Sequence, residues 1–143
     1  MSQGLSGVER AHVGEEWWFA LPVPVNTSSK DIRVTGVRVV EVPDGLQVAG
    51  YGAFKLKDTQ GLYLLSREGE EETPKFDRLK DYFNQPVTVR AKNSSDIYYL
   101  VRLKVKGRVT GNVKGCRFEY EQGSRRYTQT LRCEAEIRLA RRK

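Results

Sequence analysis

The sequence predicts a mainly β protein, a sandwich or barrel of about seven or eight strands with one short helix near residues 74–83. Three observations predict it. Short runs with a period of two dominate the 143 residues. Gly, Pro, Asn or Asp breaks these runs at roughly ten-residue intervals, the spacing of all-β domains. Only one segment places its apolar residues at helical spacing. No internal repeat or low-complexity tract interrupts the pattern. The length suits one domain, expected over residues 15–140, with residues 1–14 as a flexible lead or the remnant of a removed leader and residues 141–143 as a basic tail.

The first run, Glu15 to Val25, contains Pro22 and Pro24. Proline has no N–H for a ladder, so the run reads as an edge strand. Asn26-Thr27-Ser28-Ser29 turns the chain, and Asp31 to Val42 is the next strand. Its apolar parity switches at Gly36, the signature of a β-bulge. Pro43-Asp44-Gly45 makes a turn before a third strand, Leu46 to Lys55. Leu62 to Leu65 forms a short fourth. Thr73-Pro74 then resembles a helix start, with Phe76, Leu79 and Phe83 at helical spacing and Pro86 beyond the end. The acidic run Glu68-Gly69-Glu70-Glu71-Glu72 ahead of it reads as a solvated loop. Val87 to Ala91 is a small strand. In the next, Ile97, Tyr99, Val101, Leu103 and Val105 alternate with Arg102, Lys104, Lys106 and Arg108. A final hairpin carries Cys116, Phe118 and Tyr120 on one apolar face. Tyr127, Leu131, Cys133, Ala135, Ile137 and Leu139 share the apolar face of its second strand.

Cys116 and Cys133 are the two cysteines. A four-residue loop over Gly123 to Arg126 sets Gln122 opposite Tyr127, Phe118 opposite Leu131, and Cys116 opposite Cys133. Directly opposed Cα atoms lie about 4.5 Å apart at a non-hydrogen-bonded site, the short edge of disulfide geometry. The bridge stabilises the fold by roughly 3 kcal/mol in the chain-entropy model. It implies an oxidising compartment, and hence an extracellular or cell-surface protein whose leader or anchor is absent. Two reduced cysteines in the core are the alternative, and would make the protein cytoplasmic.

Few residues suggest chemistry. With His12 as the sole histidine and no EF-hand spacing in the acidic run, no metal ligands and no cofactor are expected. No nucleophile elbow, phosphate loop or dinucleotide fingerprint occurs. No catalytic residues are assigned. Glu15-Glu16 beside Trp17-Trp18 invites a glycan-acting enzyme as a rival. The plainer reading is one tryptophan in the core and the other on the surface of an edge strand. Asn26-Thr27-Ser28 and Asn93-Ser94-Ser95 match the glycosylation sequon. No apolar run approaches the ~20 residues of a membrane helix, so no membrane insertion is expected.

The formal charge is +7. The span from Arg78 to Arg117 concentrates it, with ten basic residues against Asp81 and Asp96. Arg102, Lys104, Lys106 and Arg108 form a candidate basic face, spaced about 7 Å apart on an extended strand. Such a face suits an acidic partner or a polyanion. Nucleic acid is less favoured, because its platforms need exposed aromatics among the basic residues, and here only Tyr98 qualifies. Cross-strand pairing with Glu134 and Glu136 would make the same face a salt ladder.

The stretch from Leu21 to Val37 resembles the opening strands of bacterial immunoglobulin-like domains. Gly115-Cys116-Arg117-Phe118-Glu119-Tyr120 through Leu131-Arg132-Cys133 resembles their closing strands. The likeness is to ectodomains of membrane-anchored or secreted actinobacterial proteins. It implies an immunoglobulin-like antiparallel β-sandwich, and it assigns no functional residues. The function expected is a non-enzymatic extracytoplasmic binding or scaffolding module, monomeric or weakly oligomeric, for a protein or acidic partner.

Overall fold

A computed structural model describes residues 5–141. The chain is mainly β, with eleven strands among those residues: β1 (Leu5–Ala11), β2 (Glu16–Ala20), β3 (Val25–Asn26), β4 (Ile32–Glu41), β5 (Leu46–Lys55), β6 (Leu65–Arg67), β7 (Val87–Val89), β8 (Asn93–Ser94), β9 (Ile97–Val105), β10 (Val113–Gln122) and β11 (Arg125–Leu139). One sheet has the order β1-β11-β10-β4-β7 and the second β5-β9-β2-β6, while β3 and β8 form a separate pair. The two sheets enclose the main core. Val34, Val37, Val39, Phe118, Cys133 and Ile137 from the first meet Trp17, Phe19, Tyr99, Val101 and Leu103 from the second.

Several elements differ from the expectation. Residues 5–11, expected in a flexible lead, form β1, which runs parallel to β11 from Leu5 beside Glu134 to Ala11 beside Leu139. The strand has few apolar residues. Its ladder and the full burial of Ala11 hold it, which is tertiary context overriding local propensity. The first four residues of that lead, and Arg142 and Lys143 of the tail, lie outside the described residues. β2 is an interior strand between β9 and β6, not an edge. The prolines end it: the ladder stops at Ala20, and the chain leaves the sheet through Pro22 and Pro24 to reach β3.

The segment 74–83 holds a single 3-10 turn, Phe76–Arg78, while the α-helical turn among the described residues is α1 (Leu56–Thr59). The helical spacing of Phe76 and Phe83 fails because residues 81–83 are used on the edge of β5. Tyr82 N–H donates to Ala53 O at 2.8 Å, and Asp81 Oδ1 accepts the Ala53 N–H at 2.9 Å. This covers part of an otherwise open strand edge. Phe83 then stacks on Tyr51 at 5.2 Å beside the main core, while Phe76 turns to the outer face of the second sheet.

That outer face carries a second core. Trp18, Ala20, Phe54, Tyr98 and Leu100 pack under Phe76, with Leu56 and Leu79 against them. Ile97 to Val101 are therefore buried on both faces. Both tryptophans are buried, Trp17 between the sheets and Trp18 beneath the 56–83 segment, where its Nε1 donates to Glu68. Tyr98 is buried too, and its hydroxyl donates to Thr59 Oγ1 at 3.1 Å.

Burial raises the phenol pKa of both Tyr98 and Tyr99. A phenol raised by folding supports the fold fully below its unfolded value near 10, and withdraws that support as pH climbs toward the folded value. Stability is therefore expected to fall above about pH 10, with Tyr98 and Tyr99 ionising only as the chain unfolds. An alkaline titration followed by phenolate absorbance and by circular dichroism checks this. Full ionisation of all tyrosines ahead of unfolding would contradict it.

The cysteines lie at disulfide distance, with a Cα–Cα separation of 6.0 Å. The register differs from the one expected. Gly123-Ser124 closes the hairpin as a two-residue turn with Gly123 at φ 61°, so Gln122 pairs with Arg125 and Tyr120 with Tyr127. That register sets Cys116 opposite Leu131, two residues short of Cys133, so the sulfurs meet diagonally, and the ladder slips only beyond, between Cys116 and Lys114. The bridge staples two neighbours of one sheet, unlike the inter-sheet bridge of antibody domains.

Candidate partner-binding groove

At the end of the sandwich where β2 leaves the second sheet, the inner face of the first sheet forms the floor of an open groove of about 540 Å³. Ile32 and Val34 of β4, Phe118 and Tyr120 of β10, and Tyr127 and Leu131 of β11 line it. Residues 23–28 make one wall. The apolar side chains follow from period-two alternation: on β11 Tyr127, Gln129 and Leu131 share the parity of buried Cys133, Ala135 and Ile137. Toward the tip nothing in the second sheet covers that parity, and residues 123–130 are all exposed. Tyr120 and Tyr127 stack there at 5.3 Å, and Tyr127 remains 38% exposed.

The wall is fixed by a polar network. Asn26 is 4% exposed, and its Nδ2 donates to Lys30 O at 2.7 Å and Val89 O at 3.1 Å. Its Oδ1 accepts from Ser28 N at 3.0 Å and Ser28 Oγ at 2.7 Å. Gln122 Nε2 closes the far end by donating to Ser28 Oγ at 2.8 Å. The groove is thus held open by hydrogen bonds that a partner need not make, a form of preorganisation. The two sequons separate as well. The amide nitrogen of Asn26 is buried and used, whereas Asn93 is exposed.

The basic face is divided. Arg102 and Lys104 lie on β9, but Lys106 and Arg108 follow its end. Arg102 sits over the Trp18 ring at 5.4 Å, with Nε 3.6 Å from Glu16. Lys104 has Glu16 as its neighbour across the ladder. Glu134 and Glu136 belong to the other sheet, so the expected salt ladder does not form with them. Glu134 accepts from Asn112 Nδ2 at 2.7 Å, and Glu136 pairs with Arg138 at 3.6 Å. Among the described residues no carboxylate lies within ion-pair distance of Lys106 or Arg108.

Glu15 and Glu16 do not converge on a common site. Consecutive strand residues face opposite ways. Glu16 meets Arg102 on the outer face, while Glu15 Oε1 accepts the His12 N–H at 2.8 Å and its Oε2 lies 3.7 Å from Arg67 Nε. Nearby, Arg10 makes a two-pronged contact with Glu70 at 2.9 and 3.3 Å, holding that carboxyl below its usual range. These acids tie β1 and β6 to the entry of β2.

Pairing also assembles a basic patch invisible in the linear sequence. On the outer face of the first sheet Arg117 stands directly across the ladder from Arg38, and its Nε donates to Thr130 Oγ1 at 3.3 Å. Arg126 and Arg132 flank Thr130 on the same strand and are exposed. Only strand order could have revealed this. No helix among the described residues is long and apolar enough to cross a membrane. No protein-family model, curated protein or solved structure matches this chain.

Proposed function

We propose that the chain is a non-catalytic binding module that works outside the reducing cytoplasm and holds an apolar segment of a protein partner in the groove at the hairpin end. One observation carries this reading: a preformed groove with an apolar floor, left open at the tyrosine pair of an exposed hairpin. Sites of this shape, mostly apolar with a few placed polar groups, are the usual form of a binding site. The cysteine pair supports export, because disulfides persist in oxidising compartments. The immunoglobulin-like texture of the sequence belongs to the same reading.

A random displayed-peptide selection against the oxidised protein, followed by amide chemical-shift mapping of the enriched peptides, tests it. Shifts are expected at Tyr120, Tyr127 and Leu131, and Tyr127→Glu should weaken binding by roughly tenfold or more while leaving the unfolding midpoint nearly unchanged. Shifts confined to Arg102–Arg108 would overturn it in favour of polyanion binding. The unpaired state of Lys106 and Arg108 keeps that second reading alive, and steep salt dependence of heparin retention would be its mark.

A further inference from the structure

We infer that the partner engages the groove as an extended strand, added to the open edge of β11 over residues 126–132, with apolar and acidic side chains in alternation. This inference rests on the groove as the binding site and names what occupies it.

The edge follows from the hairpin. With a two-residue turn, Gln122 and Arg125 form the first hydrogen-bonded pair, and such pairs then alternate with non-bonded ones. Arg125, Tyr127, Gln129 and Leu131 therefore spend their backbone groups on β10. Arg126, Thr128 and Thr130 turn their N–H and C=O groups the other way. Among the described residues, β1 occupies that side of β11 from Glu134 onward. Among the described residues no strand pairs with the edge before that point. An exposed run of unpaired backbone groups is a template for strand addition. In that mode main-chain hydrogen bonds supply affinity and alternate side chains supply specificity.

The two faces of the edge differ in chemistry. Side chains of a strand added there fall alternately on the groove side, beside Tyr127 and Leu131, and on the outer side, beside Arg126 and Arg132. The first set is therefore apolar. The second is acidic, because Arg126 and Arg132 stand directly beside it, while Glu119 and Glu121 of the same face lie one strand further away on β10. The same arginines disfavour a second copy. Antiparallel pairing of β11 with itself in its longest register sets Arg126 opposite Arg132, and like charges directly opposed are destabilising.

The test uses the full oxidised chain and an acetylated, amidated peptide of alternating Glu and Val whose length matches the open edge. Three controls accompany it: a Lys/Val counterpart, a version N-methylated at alternate residues, and the variant Arg126→Glu/Arg132→Glu. Amide exchange at Arg126, Thr128 and Thr130 is expected to slow by about tenfold or more with the Glu/Val peptide. The N-methylated peptide should give no such protection, and the Lys/Val peptide should bind roughly tenfold more weakly. The charge-reversed variant should invert the order of the two peptides. Shifts at Tyr127 and Leu131 with unchanged exchange at the edge would overturn strand addition and leave the groove standing. Edge amides already protected in the free chain would also overturn it. A peptide that shifts no groove residue, in parallel with a failed selection, would remove both readings.

Discussion

Replacing Phe76 by alanine is expected to lower stability by about 3–5 kcal/mol, the usual cost of truncating a buried phenylalanine. Phe76 is 2% exposed and packs on two rings of the outer core, with centroids 4.7 Å from Trp18 and 4.9 Å from Phe54. It is the anchor by which the 56–83 segment covers the second sheet. Its removal leaves a cavity beside Trp18 and loosens the segment, so tryptophan emission should shift to the red together with the fall in stability. Urea unfolding measures the first effect and fluorescence the second. A loss under about 1 kcal/mol with unchanged emission would mean that the segment does not pack on that face.

Removing the disulfide should cost nearly as much. The bridge closes a loop with a sequence separation of 17, and the chain-entropy model assigns such a loop roughly 3 kcal/mol. Cys116→Ala/Cys133→Ala should therefore melt roughly 10 °C lower than the oxidised protein. Both cysteines are buried, so the replacement adds a small packing loss to the entropic one. Intact mass with and without reductant gives the chemical check: protein from an oxidising host should resist alkylation until reduced. Thiols that alkylate freely would remove the main support for export, and an intracellular role in polyanion binding would come forward.

Local alternation made much of the fold legible. Leu46–Lys55 is a strand with the bounds expected, and the parity switch at Gly36 coincides with a slip in the ladder between β4 and β10. The cysteines face inward, as their parity requires. What could not be read was long-range. A four-residue turn and the two-residue Gly123-Ser124 turn both keep the apolar face inward, so periodicity does not choose between them. Burial of Tyr98 and Trp18 depends on Phe76 and its neighbours, distant in sequence from both, folding over the sheet, and alternation reports only one buried face at a time. The groove was partly visible in the apolar parity of Tyr127 and Leu131. That this end is left uncovered is a property of where β2 departs, and of nothing local to the hairpin.

The pairing of β1 with β11 has a consequence for how the molecule is made. Along a chain synthesised from its N-terminus, Leu5–Ala11 precedes every other described strand, and its partner, residues 134–139, follows them all. Cys116 likewise waits for Cys133. The first sheet cannot be completed until residues 134–139 have been made, and the contacts of β1 are among the most distant in sequence between the described strands. Topologies of this kind fold slowly, because loop closure precedes the reward of pairing. Until β11 is free, the first sheet stays open at the side where β1 will join.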